Sequence, residues 1–340
     1  GFSEGNGRPH ELLNEQISQA ERGQIWMAMN ELRYIFRHSL LREASYSMQL
    51  RTRLQQLHQQ IGEAIERLYG ESLEERYIDL AFHYEQADAY EKTCEYLRKA
   101  ADYARRNYQN HQALEFYDKL LRKLSTGKRD THKVHTLVKR GKILEMIGQW
   151  DESEASFKEA LQLAKKSRDA QQLGRVYNSL GRLLTLKGDY VSARDFLQRA
   201  VQLFESIEDE NGIAKVYGNL GNLYFRHGQY EEAKAYFEES ISMGQAGNDS
   251  TVNAQIAANL ALTYMNQGNY DEGIRRQREQ LKICQSNDDK QGMATLYTYL
   301  GIVFLEKGDY RATLASFRDG LYYSEELGNK MLKAIALGNI

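Results

Sequence analysis

One residue pattern recurs at a fixed interval through much of the chain. A glycine followed two positions later by an aromatic residue occurs at Gly148/Trp150, Gly188/Tyr190, Gly228/Tyr230, Gly268/Tyr270 and Gly308/Tyr310, with 40 residues between successive pairs. Seven positions before each glycine stands a small residue, namely Gly141, Gly181, Gly221, Ala261 or Gly301. A fixed interval of this length is typical of a solenoid, in which each unit packs only against its neighbours.

Each 40-residue unit is predicted to form two helices of roughly 17 residues. Before Gly228, the apolar residues Tyr217, Leu220 and Tyr224 follow helical spacing. The glycine provides the left-handed residue that ends the first helix, and the aromatic residue begins the second helix and packs against the first. The predicted N-caps of the following units are Asp169, Asp209, Asp249, Asp289 and Asn329.

This combination of small residues, glycine and aromatic residues resembles the tetratricopeptide repeat (TPR). Residues 131–329 hold five copies, and residues 330–340 begin a sixth, truncated one. The usual unit of that family has about 34 residues, so the 40-residue unit is similar to the longer repeats of spindle-orientation adaptors and kinesin light chain. The resemblance implies an all-α fold, a right-handed TPR superhelix or α-solenoid.

The first part of the chain does not follow the 40-residue interval. Residues 1–10 are expected to be a flexible lead-in. Within residues 11–70, a helix over 11–22, a strand pair in "IWMAMNELRYIF" and a longer helix are consistent with a small winged-helix remnant. Residues 71–130 are expected to hold divergent helical repeats, whose packing positions include Ala81, Tyr84, Thr93, Leu97 and Ala100.

A second motif lies at the end of the predicted strand pair. It consists of Tyr34, Phe36, Arg37, His38, Leu40, Arg42, Glu43 and Tyr46. The motif is similar to the junction between winged helix and TPR array in bacterial ATPases of the AAA/STAND type, which are often linked to adenylate/guanylate cyclases. The resemblance implies a sensor or regulatory region of a larger signalling ATPase, and it implies that His38 and His58 hold the junction helices together by hydrogen bonds.

Composition and motifs argue against catalysis within this chain. The net charge is −2 and the sequence pI about 6.5, so neither nucleic acid nor an anionic membrane is an expected partner. Cys94 and Cys284 lie far apart without metal-ligand spacing, which favours a reducing, cytoplasmic setting. "STGKRD" lacks the first glycine of a phosphate loop and is interpreted as a turn between helices. No cofactor and no metal are expected.

The first helix of each unit is expected to line a concave surface. The predicted peptide-binding groove consists of Lys142, Arg175, Asn178, Arg182, Lys215, Asn222, Phe225, Arg226, Met265 and Asn266. In the first three copies this face carries basic residues against the single acid Glu145, whereas copies four and five, with Ala258, Thr295 and Thr298, are neutral and apolar. We therefore predict an acidic segment along the first three copies and an apolar segment beyond, with Asn178, Asn222 and Asn219 bonding the peptide backbone.

Several alternatives remain open at this point. The basic positions could be solvated helix faces of a spacer, and the partner could be another domain of the parent protein. The array could also mediate self-association of the parent protein, which would make it an oligomer. DNA binding through the winged-helix remnant is a weaker alternative, because the remnant is incomplete and the net charge is close to zero.

Overall fold

The computed structural model describes residues 19, 22, 26–30, 33–36, 51–125, 130–246 and 250–340. These residues form two compact units, within 1–96 and 97–340. Most of the helix predicted over 11–22, residues 37–46 of the junction motif, and Asp249 lie outside the described residues.

The first unit contains a hairpin and a helical segment. Strands β1 (Trp26–Asn30) and β2 (Arg33–Phe36) pair in antiparallel orientation, with Trp26 opposite Phe36. Helix α1 (Arg51–Leu68) is followed by a 3-10 helix (Gly70–Arg76) and by α2 (Tyr77–Gln86), which contacts α1. The predicted strand pair is confirmed, whereas the winged-helix interpretation of this segment stays a prediction.

Thirteen further helices follow. Helix α3 (Tyr90–Arg106) crosses from the first unit into the second, and the rest are α4 (Asn110–Leu124), α5 (Asp130–Met146), α6 (Trp150–Ser167), α7 (Ala170–Lys187), α8 (Tyr190–Ser206), α9 (Glu210–Arg226), α10 (Tyr230–Ala246), α11 (Ser250–Asn266), α12 (Tyr270–Ser286), α13 (Lys290–Lys307), α14 (Tyr310–Glu326) and α15 (Lys330–Asn339). The helix pairs α5/α6 to α13/α14 are the five predicted copies, and α15 begins the sixth. The predicted helical solenoid is confirmed.

The corners of the array are built as the sequence predicts. Gly228 has a φ of +79°, a left-handed conformation that glycine adopts without the steric cost of a Cβ, and the four equivalent glycines have similar values. Asp209 accepts a hydrogen bond of 2.9 Å from the backbone N–H of Gly212, and Asp169, Asp289 and Asn329 cap their helices in the same way. The equivalent Asp249 is not among the described residues.

The aromatic residue after each corner begins the second helix in all five copies. Tyr190, Tyr230 and Tyr270 are half-buried, which agrees with their predicted packing against the first helix. Trp150 and Tyr310 are 41% and 69% exposed, so for the first and last copies the packing role stays a prediction.

The small residues explain how closely the two helices of one copy approach. A Cβ built on Gly221 would lie 2.5 Å from the ring of Phe237, a side chain with 0% exposure, and Gly141 and Gly301 face Phe157 and Phe317 in the same way. In the fourth copy the pair is Ala261 and Gln277. Gln277 is also 0% exposed, and no described residue makes a hydrogen bond with either atom of its side-chain amide.

The second unit curves toward its first helices. Each second helix packs against the first helix before it and the first helix after it, and successive first helices also contact each other directly. The contact between α11 and α13 is the most extensive of these, and Ala254 and Ala257 of α11 share a core cluster with Met293, Leu296 and Leu300 of α13. Direct contact among the first helices places them on the inner, concave side of the array.

No helix among the described residues combines the length and the apolar character that a membrane crossing requires.

Candidate peptide-binding face

The concave face of the second unit collects the predicted basic residues on consecutive first helices. Lys142 lies on α5, Arg175 and Arg182 lie on α7, and Lys215 and Arg226 lie on α9. Arg182 is partly exposed and the other four side chains are exposed. We call these five residues the basic strip.

Arg182, in the middle of the basic strip, forms an ion pair. Arg182 Nη2 lies 2.9 Å from Glu145 Oε2, and the two side chains are 38% and 6% exposed. Burial raises the pKa of the Glu145 carboxyl, while Arg182 and Lys142 lower it. Burial outweighs these two cations, so the pKa of the Glu145 carboxyl is raised overall, with the Arg182 guanidinium at ion-pair distance from it.

Lys142 is in the most strongly positive part of the strip. Desolvation between the facing helices lowers the pKa of its ammonium group to about 8, and the positive charge of Arg182 adds to the effect, as does that of Lys215. Glu145 opposes the shift without cancelling it. The charges around Lys142 are thus mutually repulsive, and an anionic ligand would relieve that repulsion.

Two more basic residues, His135 and Lys139, lie on α5 before Lys142. The pKa of His135 is lowered by desolvation and by the positive charges of Lys139 and Arg175. Lys139 Nζ makes hydrogen bonds of 2.8 and 2.7 Å to the two carboxylate oxygens of Asp102 on α3. That carboxylate also accepts a hydrogen bond of 2.5 Å from Tyr117, and with these partners its pKa is lowered despite the opposing effect of burial.

The asparagines of the predicted groove bond to each other across neighbouring first helices. Asn219 Nδ2 donates to Asn178 Oδ1 at 2.8 Å, which joins α9 to α7. Asn259 Nδ2 donates to Asn222 Oδ1 at 2.8 Å, which joins α11 to α9. All four side chains are half-buried. Each of these bonds uses one polar atom of each amide, and Asn259 Oδ1 also accepts a hydrogen bond of 3.3 Å from Gln255 Nε2. The other polar atoms of Asn178, Asn219 and Asn222 can still bond to a ligand.

Asn259 was not among the sequence-predicted site residues. It stands 40 positions after Asn219, so comparing the two repeats would have identified it. The pairing of Arg182 with Glu145 depends on the twist between α5 and α7, which the repeat pattern alone does not specify.

The remaining predicted residues differ in how far a ligand could reach them. Arg226 is exposed at the end of α9. Phe225 is half-buried, with its ring centroid 5.7 Å from that of Tyr230, and Met265 is half-buried against the core. Asn266 is exposed and donates a hydrogen bond of 2.8 Å to the carbonyl oxygen of Leu262 in its own helix.

The concave face of copies four and five is less open than the sequence suggests. Ala258, Thr295 and Thr298 were expected to line it, but their exposures are 0%, 4% and 0%. Thr298 packs against Gly320 of α14, the second helix of its own copy, since a Cβ built on Gly320 would lie 2.7 Å from Thr298 Oγ1. Leu262, Ile302 and Leu305 stay half-buried and provide the apolar surface at this end.

Outside the basic strip, His58 is a buried histidine of the first unit. Its Nδ1 atom lies 2.8 Å from Nδ1 of His83, which connects α1 to α2, while His38 lies outside the described residues. Burial lowers the pKa of both imidazoles. Within the described part of the chain, no group of three or more His, Cys, Asp or Glu side chains is arranged to hold a metal ion.

Two solved structures resemble this chain in fold over almost its whole length. A STAND signal transduction ATPase with a tetratricopeptide repeat sensor from Pyrococcus horikoshii has a TM-score of 0.59 and 13% identity, over 95% of this chain and 48% of that chain. The chain therefore spans about half the length of that protein. A Rap protein complexed with competence and sporulation factor has a TM-score of 0.58 and 15% identity, over 97% of this chain and 93% of the other.

A third structure is the Rap conjugation gene regulator of the plasmid pLS20 in complex with the Phr* peptide. Its TM-score is 0.54 and its identity 19%, over 75% of this chain and 78% of that chain. At these identities the three structures support the fold alone. No protein with curated annotation matches the chain.

The family is shown by the match to sequence models. One model described as tetratricopeptide repeat matches residues 130–206, 172–246 and 252–321, and a second model of the same description matches residues 219–277. The first model alone accounts for more than half of the 340 residues. The chain therefore belongs to the tetratricopeptide repeat family.

Proposed function

We infer that the chain is a protein-interaction scaffold whose concave face binds an acidic peptide or an acidic segment of a partner protein. The observation that carries this proposal is the basic strip, in which the positive charges of Arg182 and Lys215 lie close enough to Lys142 to lower the pKa of its ammonium group, with Glu145 opposing them. Mutual repulsion of this kind makes the binding of an anion favourable, because the anion reduces it.

The amide pairs suggest how such a segment would be oriented. Asn178/Asn219 and Asn222/Asn259 lie on α7, α9 and α11, next to the basic strip. Their remaining donors and acceptors can bond the backbone of an extended peptide, because each amide offers both functions. Leu262 and Ile302 would then contact an apolar part of the same segment beyond the acidic part.

The structural neighbours agree with this proposal. Two of them, the Rap protein and the Rap conjugation regulator, were solved with a factor or a peptide bound. The STAND neighbour uses a repeat array as its sensor. We therefore also propose that the array is the sensor or regulatory region of a larger signalling ATPase, with a cyclase as one form of the effector. Its ligand would be a peptide, a partner protein or another domain of the parent protein.

The proposal can be tested with a fluorescein-labelled peptide that has four glutamates followed by a serine–leucine–leucine–serine segment, which we call the acidic probe. Its affinity is measured by anisotropy with the wild-type chain and with the double variant Arg175→Glu/Arg226→Glu. Both residues are exposed. We expect a loss of affinity of at least about tenfold, because two attractive charges become repulsive.

The matched control is Arg194→Glu, which makes the same charge change at an exposed position of the second helix α8. We expect a change of less than about twofold, since an exposed distant charge is screened. Equal losses in R194E and in the double variant would show unspecific attraction and contradict the groove. Light scattering over a range of concentrations tests the alternative of self-association, which a monomer at all concentrations would exclude.

A further inference from the structure

A groove lies on the opposite side of the second unit, between the second helices α8 and α10. Its volume is about 670 Å³, and α9 forms its floor. The lining includes Val201 from α8, Tyr217 from α9, and Tyr236 and Glu239 from α10. Because the concave face is formed by first helices, this groove is a separate surface from the basic strip.

Aromatic rings form one wall of the groove. The Tyr236 ring stacks on Tyr224 at a centroid distance of 5.3 Å and an interplanar angle of 5°, and it meets Tyr217 at 5.6 Å and 60°. All three side chains are half-buried. The contacts hold the rings in fixed orientations, so a ligand would meet a rigid aromatic surface.

Carboxylates stand next to this aromatic surface without a counter-ion. The pKa of Tyr217 is raised by burial and then by the negative charges of Glu239 and Glu205, which places both carboxylates near the phenol. Glu239 is exposed, and among the ion pairs of the described residues none involves Glu205 or Glu239. The groove therefore combines half-buried π faces with uncompensated negative charge, which is a suitable environment for a cation.

The preceding repeat carries an arginine at the position equivalent to Glu239. Tyr177 and Arg199 stand 40 residues before Tyr217 and Glu239. There, hydrogen bonds to Asp195 and to Tyr177 raise the pKa of the Arg199 guanidinium, so the chain itself supplies a cation to the tyrosine. In the third repeat the residue at that position is Glu239, and the cation beside the tyrosine is replaced by an anion.

We propose that the groove between α8 and α10 binds an arginine side chain from a basic segment of a partner protein. The guanidinium would lie against the rings of Tyr217 and Tyr236 and pair with Glu239, whereas one repeat earlier Arg199 reaches Tyr177 by a hydrogen bond. This site is a second docking surface, of opposite charge preference to the concave face. Its ligand differs from that of the basic strip, so either site can fail without the other.

The test uses a fluorescein-labelled peptide with two arginines in a glycine–serine background. A version in which citrulline replaces arginine keeps the shape and removes the charge. We expect the arginine peptide to bind at least about tenfold more tightly than the citrulline peptide, as loss of a partly desolvated cation–π contact and an ion pair predicts. Equal affinities for the two peptides would overturn the proposal.

The decisive variant is Glu239→Arg, which gives the third repeat the residue that fills the equivalent place in the second. We expect it to lower the affinity for the arginine peptide at least about tenfold, because the groove then holds its own guanidinium. Its matched control is Glu279→Arg, the same substitution one repeat later, where Ala257 stands in place of the tyrosine. An unchanged affinity in E239R, or an equal loss in E279R, would overturn the proposal. Both positions are exposed, and thermal unfolding monitored by circular dichroism confirms that each variant is folded.

Discussion

Arg182 and Glu145 form an ion pair across two neighbouring first helices, with 2.9 Å between Nη2 and Oε2. The pair occupies the middle of the basic strip, and the Glu145 carboxylate also acts on Lys142, whose pKa it raises against the effect of the neighbouring cations. In the free protein Glu145 thus competes with an acidic ligand for Arg182. This competition leads to the first prediction.

Replacing Glu145 by Gln should strengthen binding of the acidic probe by about three- to tenfold, because Arg182 loses its internal partner and becomes available to the ligand. The same change should lower the free energy of unfolding, since Arg182 then lacks its counter-charge. Anisotropy titration and thermal unfolding measure the two effects separately. Weaker binding by E145Q, once the variant is shown to be folded, would mean that Glu145 positions Arg182 for the ligand instead of competing with it.

Lys142 predicts a dependence of affinity on pH. Its pKa is about 8 in the free protein, below its ordinary value of 10.5. An anionic ligand favours the protonated ammonium, so binding should take up a proton near pH 8. Affinity for the acidic probe should therefore be highest below about pH 8 and decline as the pH rises above it.

The control for this prediction is Lys142→Arg, because a guanidinium keeps its charge throughout this range. K142R should bind the acidic probe with an affinity that changes little between about pH 7 and about pH 9, the range that brackets the pKa of Lys142 in the wild-type chain. Titration calorimetry in two buffers of different ionisation enthalpy measures the proton uptake directly. The same pH profile in wild type and K142R would show that another group is responsible.

Substitutions at positions 261 and 277 should compensate each other in their effect on the free energy of unfolding. Phe237 packs against Gly221 with no space for a methyl group, so Gln277→Phe should clash with the Ala261 Cβ and destabilise the chain by about 1–3 kcal/mol. Ala261→Gly in the same chain should recover much of that loss. Gln277→Met has a similar unbranched shape without the buried amide and should stabilise by about 1 kcal/mol. Denaturant unfolding measures all three, and a lack of coupling between positions 261 and 277 would contradict the packing account.

Two glycines of the third repeat should respond differently to Ala. At Gly228 a Cβ would meet nothing within 4 Å, so the cost of Gly228→Ala is the left-handed backbone, about 1–2 kcal/mol. Gly228→Asn should cost less, since Asn tolerates that conformation. Gly221→Ala is helical but crowded, with Phe237 2.5 Å from the new Cβ, and should cost about 1–3 kcal/mol. Chemical unfolding compares the three, and equal losses for G228A and G228N would argue against backbone strain.

The sequence predicts the repeat architecture well because its signals are local. A glycine such as Gly228 and a cap such as Asp209 each report the conformation of a few neighbouring residues, and the 40-residue interval repeats them. The basic residues of the site could be placed on one face for the same reason. The sequence does not reveal which side chains meet between repeats.

The pairing of Asn219 with Asn178 and of Arg182 with Glu145 depends on the rotation between successive first helices. That rotation results from core packing, and a small side chain at one position changes it. Packing within one copy also decides which positions face a ligand, and Thr298 illustrates this because it is buried against Gly320 of α14. The aromatic groove beside Glu239 also requires knowledge of how α8 and α10 are spaced.

The central claim is that the acidic ligand lies on the concave face, and photo-crosslinking tests it most directly. A benzophenone side chain is placed at Met146, which is 56% exposed one turn after Lys142, or at Val191, which is 74% exposed at the start of the second helix α8. The account predicts that irradiation joins the acidic probe to the chain carrying benzophenone at position 146 and that unlabelled probe competes for it. Crosslinking at position 191 with none at position 146 would contradict the account.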